Sequence, residues 1–252
     1  MYRFLLRPKW LLFHLGIALL VILMINLALW QLRRLDQRKD FNAEVRSHAA
    51  AAIRPVEDVL PDGAGVDPTD LQWYNVSATG TYLTDEQVLV VNVSQDGSAG
   101  VDAVVPLQLA DGRLLLVNRG FVVNGTDVPP APEGEVEIIG RLRPTQKRGT
   151  GSLSDPAEGE LTEVHRIDIN RLQKQLDAPV LPMYVDLLDS TPPEPADQIT
   201  PVAAPDLSEG PHLSYAVQWC IFSIAAIVGW VLAVRRSVRT RARAGEAAAT
   251  PA

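Results

Sequence analysis

The chain has 252 residues, of which 47% are hydrophobic, and this length suits one or two domains. Its single cysteine excludes an internal disulfide, a Cys-x-x-Cys redox pair and a copper or zinc site built on paired thiolates. The net charge of −7 is unevenly distributed, because residues 40–209 hold 11 Lys and Arg against 28 Asp and Glu, whereas the two ends hold 12 against 2. An acidic centre is a poor partner for nucleic acid, whose phosphates require clustered basic side chains. We therefore expect no nucleic-acid binding.

An uncharged apolar segment, residues 10–30, predicts a first transmembrane helix. At about 1.5 Å per residue it is long enough to cross a hydrocarbon core of about 30 Å. Trp10 and Trp30 at its two ends match the aromatic belt of membrane proteins. A cleaved signal peptide is the alternative, but the apolar run is too long and no small-x-small cleavage site follows it. We expect an uncleaved anchor preceded by a cytoplasmic segment, residues 1–9.

A second uncharged apolar segment, residues 213–234, predicts a second transmembrane helix, and five arginines follow it within residues 235–252. Basic residues next to a span favour the cytoplasmic side, which places both termini in the cytoplasm and the central domain outside. Four basic side chains just after residue 30 oppose this orientation, but long domains translocate largely regardless of charge. Since no mitochondrial presequence fits before residue 10, we expect a two-span protein of a bacterial plasma membrane.

Between the spans, the sequence predicts a helical extension at residues 31–54 and a β-rich extracytoplasmic domain at residues 55–211. Alternating or Val-rich segments separated by Gly, Asp and Pro favour an antiparallel barrel or sandwich. The predicted strands are residues 73–79, 87–93, 101–109, 113–123, 135–142 and 182–188. Asp111-Gly112 predicts a tight hairpin, and Asp168 is the expected cap of a short amphipathic helix at residues 168–176. A Pro-rich tether, residues 189–211, leads to the second span.

The residue types offer little to an enzyme. The chain has four histidines, none in a metal-ligand spacing such as His-Glu-x-x-His, and it has no nucleophile or phosphate-binding motif. Copper delivery normally requires paired Cys or Met clusters, whereas this chain has one Cys and three Met. We therefore expect no catalytic residues. We expect Cys220 to serve packing, His14 to serve a helix partner or to reach toward the interface, and Asn26 to bond across to the second span or to a partner.

Four segments in order resemble the surfeit locus protein family of cytochrome c oxidase assembly factors. They are Leu29-Trp30-Gln31-Leu32-Arg33-Arg34, Trp73-Tyr74-Asn75-Val76-Ser77 with Gly80-Thr81-Tyr82, Leu116-Val117-Asn118-Arg119-Gly120-Phe121-Val122, and His212-Leu213-Ser214-Tyr215-Ala216-Val217-Gln218-Trp219. The resemblance covers residues 20–234. Phe121 stands where the family usually has Trp, and Gly210-Pro211 stand where Asn or His commonly precede the histidine.

The resemblance implies a non-enzymatic role in maturing the aa3-type haem–copper oxidase, through haem a delivery or through stabilisation of the haem-bearing catalytic subunit. A persistent accessory subunit of the oxidase or of a respiratory supercomplex, without a cofactor, is the alternative. His212, Tyr215 and Trp219 have helical spacing along one face. In a hairpin of two spans, Trp30, Gln31, Arg33 and Arg34 lie at the same membrane surface as these three residues. We predict that His212 ligates haem iron and that arginine pairs with the propionates. An interfacial belt that only sets membrane depth is the alternative interpretation.

Overall fold

The computed structural model describes residues 3–61, 67–151 and 153–249, with side chains described as far as residue 243. The extreme ends of the predicted cytoplasmic segments, residues 1–2 and 250–252, lie outside the described residues. The chain forms two compact units. One consists of Met1–Ala43 and Asp206–Ala252, and the other consists of Glu44–Pro205.

Along the chain, a long helix is followed by a strand-rich centre and then by a second long helix. The helices are α1 (Pro8–Ala49), α2 (Val56–Val59), α3 (Ile169–Leu172) and α4 (His212–Ala249), with 3-10 turns at Arg3–Leu6, Thr84–Glu86 and Gln173–Gln175. The strands are β1 (Arg54–Pro55), β2 (Asn75–Tyr82), β3 (Val88–Gln95), β4 (Ser98–Leu109), β5 (Leu114–Val123), β6 (Glu135–Pro144), β7 (Glu163–Val164) and β8 (Met183–Thr191).

The first unit is a pair of helices that are long and apolar enough to cross a membrane. Large apolar side chains on both helices face outward, for example Leu12 at 69% exposure and Ile224 at 62%. Small or unbranched residues such as Ala28 and Ala216 are buried instead, which is typical of closely packed spanning helices. α1 continues beyond residue 30 as its helix-forming composition predicts, and it ends at Ala49, before Pro55.

The second unit is a small closed barrel. The sheet order is β1-β2-β6-β8-β5-β4-β3-β7, and an additional antiparallel pairing of β2 with β4 closes five of these strands into a ring. Inward side chains from every strand of the ring form one core, including Val76, Leu107, Val117, Leu142 and Val185. The predicted mainly antiparallel β architecture with a short helix is therefore confirmed.

A second apolar cluster lies on the outer face of β4, β5 and β8. Leu114 and Leu116 point to this face because side chains alternate along a strand. Ile169 and Leu172 of α3 pack against it. Asp168 caps α3 as predicted, since its Oδ1 accepts the backbone N–H of Arg171 at 3.2 Å.

The six predicted strands correspond to β2–β6 and β8, with one instructive error. The alternating pattern places Trp73 in a strand, but β2 begins at Asn75 and Trp73 adopts a φ of 76°. Its N–H donates to the Leu142 carbonyl at 3.0 Å, and the Arg143 guanidinium lies 4.1 Å from its ring centroid. Tertiary contacts therefore override the local pattern. β1 and β7 escaped prediction because two residues are too few to show alternation.

Arg119 and Gly120 form a bulge in β5. Ala103 pairs with Gly120 and Val104 pairs with Asn118, so Arg119 is the extra residue. Gly120 has a φ of 143°, and a Cβ there would overlap the carbonyl oxygen of Thr200. Gly120 therefore allows close backbone approach at a bulge.

Candidate functional site

His212 and Gln31 join the two long helices at one end of the pair, which we call the Gln31 end. His212 is the first residue of α4, and its Nδ1 donates to Oε1 of Gln31 on α1 at 2.7 Å. An amide oxygen can only accept, so the Nδ1 nitrogen carries the proton in this bond. In a neutral imidazole, the lone pair is then left on Nε2. The predicted proximity of these two residues is thus present in the structure.

Gly210 lies beside this second nitrogen. It adopts a φ of 67°, which favours glycine, and a Cβ built on it would lie 3.5 Å from both Nε2 and Cδ2 of His212. A side chain at this position would cover the ring edge that carries the lone pair. Glycine therefore leaves Nε2 accessible.

The other predicted site residues surround this pair without contacting His212 in an observed hydrogen bond. Trp30 and Tyr215 are 51% and 47% exposed, and Trp219 is half-buried with an edge-to-face contact to Phe222. Arg34 is exposed and donates to Gln37 at 2.9 Å. The site thus offers one oriented imidazole, exposed aromatic surface and an exposed guanidinium.

The chain segment that leads into α4 is bound to α1 by polar contacts. Arg38 Nη2 donates to the carbonyls of Asp206 at 2.9 Å and Ser208 at 3.0 Å. Asn42, which is buried, donates to the carbonyl of Leu207 at 2.7 Å. These bonds fix the backbone just before Gly210 and so determine where His212 begins its helix.

The opposite end of the helix pair, the His14 end, holds a different histidine contact. Trp230 Nε1 on α4 donates to His14 Nδ1 on α1 at 2.8 Å, and aromatic rings of Trp10 and Phe13 lie against the imidazole. The expectation that His14 serves a helix partner is confirmed. Asn26, by contrast, donates through Nδ2 to the Ile22 carbonyl of its own helix and not to the second span, and the alternative of a contact with a partner stays a prediction. Cys220 is a free, exposed cysteine on α4, and its packing role stays a prediction.

The barrel unit buries two ion pairs. Arg119, with a fully buried side chain, pairs in bidentate fashion with Glu194 at 2.8 and 2.6 Å and also donates to the carbonyls of Pro129 and Pro130. This set of bonds anchors the first part of the tether to the barrel. Arg119 thus has a structural role in the barrel unit.

The second buried pair lies across the outer face of the barrel. Asp186 on β8 lies 3.6 Å from Arg143 and 3.9 Å from Arg141 on β6. Burial raises the pKa of Asp186, although both guanidinium groups oppose the shift. Burial also raises the pKa of Asp102, whose partner is the Asn118 amide at 3.1 Å. Among the described residues, no group of three or more His, Cys, Asp or Glu forms a metal site.

Comparison with models of known protein families shows which family this chain belongs to. The SURF1 family model matches residues 18–224, which include both long helices in part and the whole barrel. The chain belongs to the SURF1 family. Members of this family are known generally as cytochrome c oxidase assembly factors.

Individual SURF1 relatives agree along nearly the full chain. A SURF1-like protein of Mycobacterium bovis is 31% identical over 246 residues, covering 95% of this chain and 89% of the relative. A SURF1-like protein of Monosiga brevicollis is 27% identical, covering 84% and 83%, and one of Rickettsia felis is 22% identical, covering 89% and 97%. The similarity therefore includes the helix pair and the barrel together.

The sequence does not predict three residues of this candidate site: Arg38, Asn42 and Gly210. Arg38 was counted only as a charge that opposes the expected orientation. Its role as a donor to backbone carbonyls carries no sequence pattern, because any segment can supply carbonyls. Gly210 was noted only as a departure from the family pattern, yet Gly-Pro before an apolar helix is a recognisable helix-entry signal.

Proposed function

We propose that this chain acts in cytochrome c oxidase assembly by holding haem a at the Gln31 end of the helix pair, where His212 Nε2 would ligate the iron. The observation that carries the proposal is the 2.7 Å bond from His212 Nδ1 to Gln31 Oε1. Histidines that ligate metals almost always donate their other ring N–H to an oxygen, which fixes the tautomer and increases ligand basicity. His212 has this arrangement.

The neighbouring residues fit the remaining parts of an amphiphilic haem. Trp30 and Tyr215 offer exposed aromatic surface to the macrocycle, and the exposed apolar helix faces offer a lipid-like path to its tail. Arg34 is placed within one turn of Gln31 and can pair with a propionate in exchange for its contact to Gln37. When bound, haem a would supply only its iron and its propionates, and the protein's part is to ligate, orient and release it.

The expected partner is the haem-bearing catalytic subunit of the oxidase, and no catalysis is required of this chain. A ligand that is held by one histidine and by exposed side chains can be transferred without unfolding the carrier. The sequence motifs for hydrolysis and copper delivery are missing, which agrees with a carrier role. We propose a location in a bacterial plasma membrane, with both termini in the cytoplasm and the barrel outside.

Haem content tests the proposal directly. The full chain and a His212→Ala variant are produced in cells that synthesise haem a, and bound haem is measured by a pyridine haemochrome spectrum. We expect the variant to retain much less haem than the unmodified chain. Loss of a residue that only supports a metal ligand already lowers metal affinity by about 10-fold or more, and loss of the ligand itself should lower it further. Gln218→Ala is the matched control, since Gln218 is an exposed polar residue on the same helix.

Three results are informative. Loss of haem in His212→Ala at normal protein level, with Gln218→Ala unchanged, supports the site. Equal haem in both variants and in the unmodified chain contradicts it and favours the accessory subunit without a cofactor. His48 is unsuitable as a control, because it bonds to the Gln72 carbonyl at 2.7 Å and stacks on Tyr74.

Topology is tested by labelling with an impermeant thiol reagent. The only natural cysteine is first removed as Cys220→Ser, and single cysteines are then placed at the exposed positions Ser98 and Thr240. On intact cells we expect labelling at position 98 and none at position 240, because the arginines after the second span favour the cytoplasm. The reverse pattern would overturn the orientation.

A further inference from the structure

The barrel unit buries three arginine side chains, and they differ in their counter-ions. Arg119 pairs with Glu194 at 2.6 Å, and Arg141 lies 3.9 Å from Asp186. Arg171, which is 8% exposed, has no carboxylate partner among the residues that the structure describes. Burying a charged group without a counter-ion is costly, so the third case needs a physical explanation.

The contacts of Arg171 satisfy its hydrogen bonds only in part. Its Nε donates to the Pro156 carbonyl at 2.6 Å and its Nη2 donates to the Gly159 carbonyl at 2.6 Å. Its Nη1 is buried and has no hydrogen-bond partner in the described structure. Carbonyl oxygens compensate some of the lost hydration, but they do not neutralise the positive charge. The guanidinium therefore retains both a net charge and an unused donor.

A cavity of about 300 Å³, which we call the Arg171 cavity, lies next to this side chain. Its basic lining residues are Arg148, Arg166, Arg171 and Lys174, and Ser154 and Asn170 add polar groups. The cavity also contains two carboxylates, but both are already engaged. Asp155 accepts from His165 at 2.7 Å and pairs with Arg166 at 3.4 Å, while Asp168 caps α3.

The charge distribution of the whole acidic region singles out this segment. Residues 141–174 hold 7 of the 11 basic residues found between positions 40 and 209, together with only 5 of the 28 acidic ones. A second cavity shares Arg171 and Lys174 with the first, but it is also lined by the carboxylates of Glu86, Glu158 and Glu160. Arg148 and Arg166 line the Arg171 cavity and do not line the second one. An anion is therefore favoured in the Arg171 cavity and opposed next to it.

We propose that the Arg171 cavity binds an anion of the phosphate class, which supplies the counter-ion that Arg171 lacks. Lys174 is exposed at the rim and can donate to phosphate oxygens directly. The buried Arg171 guanidinium favours the anion through its charge, together with the charges of Arg148 and Arg166 in the same lining. The phosphate group can come from a soluble phosphate or from a phospholipid headgroup, because both present the same oxygens. This inference is independent of the proposed haem site, since it uses residues of the barrel unit alone.

Calorimetric titration of inorganic phosphate into the full chain, held in maltoside detergent micelles without phospholipid, tests the proposal. We expect saturable binding that Lys174→Ala weakens by about threefold to tenfold, as for loss of one exposed charged contact. The matched control is Lys147→Ala, which removes the same side chain from an exposed position that does not line the cavity. Arg171→Met should remove binding, provided that circular dichroism shows the fold is kept.

The source of the anion is separated by moving the chain from detergent into phospholipid. If phosphatidylglycerol nanodiscs reduce the apparent affinity for inorganic phosphate, the headgroup occupies the cavity; if the affinity is unchanged, the ligand is a soluble phosphate. Either result supports the site when Lys174→Ala weakens binding and Lys147→Ala does not. Equal effects of the two lysine variants, or no saturable binding, would overturn the proposal whether or not Arg171→Met folds.

Discussion

The two ends of the helix pair each place a histidine between α1 and α4, but the partner atom differs. At the His14 end, Nδ1 accepts a hydrogen bond from Trp230 Nε1 at 2.8 Å, so a neutral ring carries its own hydrogen on Nε2. At the Gln31 end, Nδ1 of His212 donates to an amide oxygen at 2.7 Å, so the lone pair is on Nε2. The first ring can only donate further, whereas the second can ligate a metal. One partner atom therefore separates a packing histidine from a candidate ligand.

The largest effect in this comparison is expected from Gln31→Leu. Without the amide oxygen, His212 Nδ1 loses its acceptor, and neither the tautomer nor the ring orientation is fixed. Loss of such an outer partner typically lowers metal affinity by about 10- to 100-fold, and we expect haem affinity to fall by this amount. Haem titration monitored by absorbance at the Soret band measures the change.

A conservative variant distinguishes positioning from packing. Gln31→Glu keeps an oxygen acceptor at the same distance and should retain haem binding, whereas Gln218→Leu should leave it unaltered. If Gln31→Glu loses as much haem as Gln31→Leu, the hydrogen bond is not what orients His212. Similar losses in Gln218→Leu would instead indicate a general effect of apolar substitution on the helix pair.

The sequence predicted the elements of this molecule far better than it predicted these partners. Spans, strand periods and the cap at Asp168 depend on local composition, which is read directly from neighbouring residues. The contact between Gln31 and His212 joins positions 181 residues apart. The sequence predicts only that the end of the first span and the start of the second span lie at the same membrane surface; it does not predict this particular hydrogen bond. The positive φ of Trp73 and the unpaired state of Arg171 depend on what other segments contribute, and no local pattern records them.

Gly210→Ala should produce the next largest effect on haem. The new Cβ would lie 3.5 Å from His212 Nε2, on the side from which a ligand must approach, and we expect a roughly tenfold loss of haem affinity, equivalent to about 1.4 kcal/mol. Gly125→Ala is the matched control. Its φ is 88° and nothing lies within 4 Å of its Cβ position, so it carries the same backbone strain without touching the imidazole. Equal haem affinity in the two variants would remove Gly210 from the site.

His14→Leu should have the complementary effect, a weaker helix pair with unchanged haem binding. Hydrogen bonds between spanning helices contribute about 0.6 kcal/mol on average, and we expect a loss of this order. SDS-induced unfolding in mixed micelles measures it. Trp230→Phe removes the same bond from the other partner. Because the bond can be lost only once, the double variant should lose less stability than the sum of the losses in the two single variants. A fall in haem affinity in His14→Leu would break the distinction between the two ends.

The identity of the partner also distinguishes two carboxylates of the barrel, the buried Asp186 and the half-buried Asp102. Asp186 faces two guanidinium groups, at 3.6 and 3.9 Å, whereas Asp102 has one neutral partner, Asn118. The Oδ1 atom of Asp102 is buried without a hydrogen-bond partner in the described structure. Removing the charge should therefore stabilise the fold at position 102. At position 186 it should destabilise the fold, because two arginines would lose their counter-ion.

Asp102→Asn should have the smallest of these effects, a change in the free energy of unfolding that depends on pH. Burial raises the pKa of Asp102 above its unfolded value of 3.8, although the Asn118 hydrogen bond opposes the shift. The folded state therefore binds the proton more tightly, and the ionised carboxylate lowers the free energy of unfolding as pH rises from 3.8 through the folded pKa. At pH 7 we expect the neutral variant to be more stable by on the order of 1 kcal/mol, and near pH 3 the advantage should vanish. Urea unfolding at both pH values measures the difference, with the exposed Asp177→Asn as control. An equal gain at both pH values would mean that the amide improves packing and that the charge of Asp102 has no part in it.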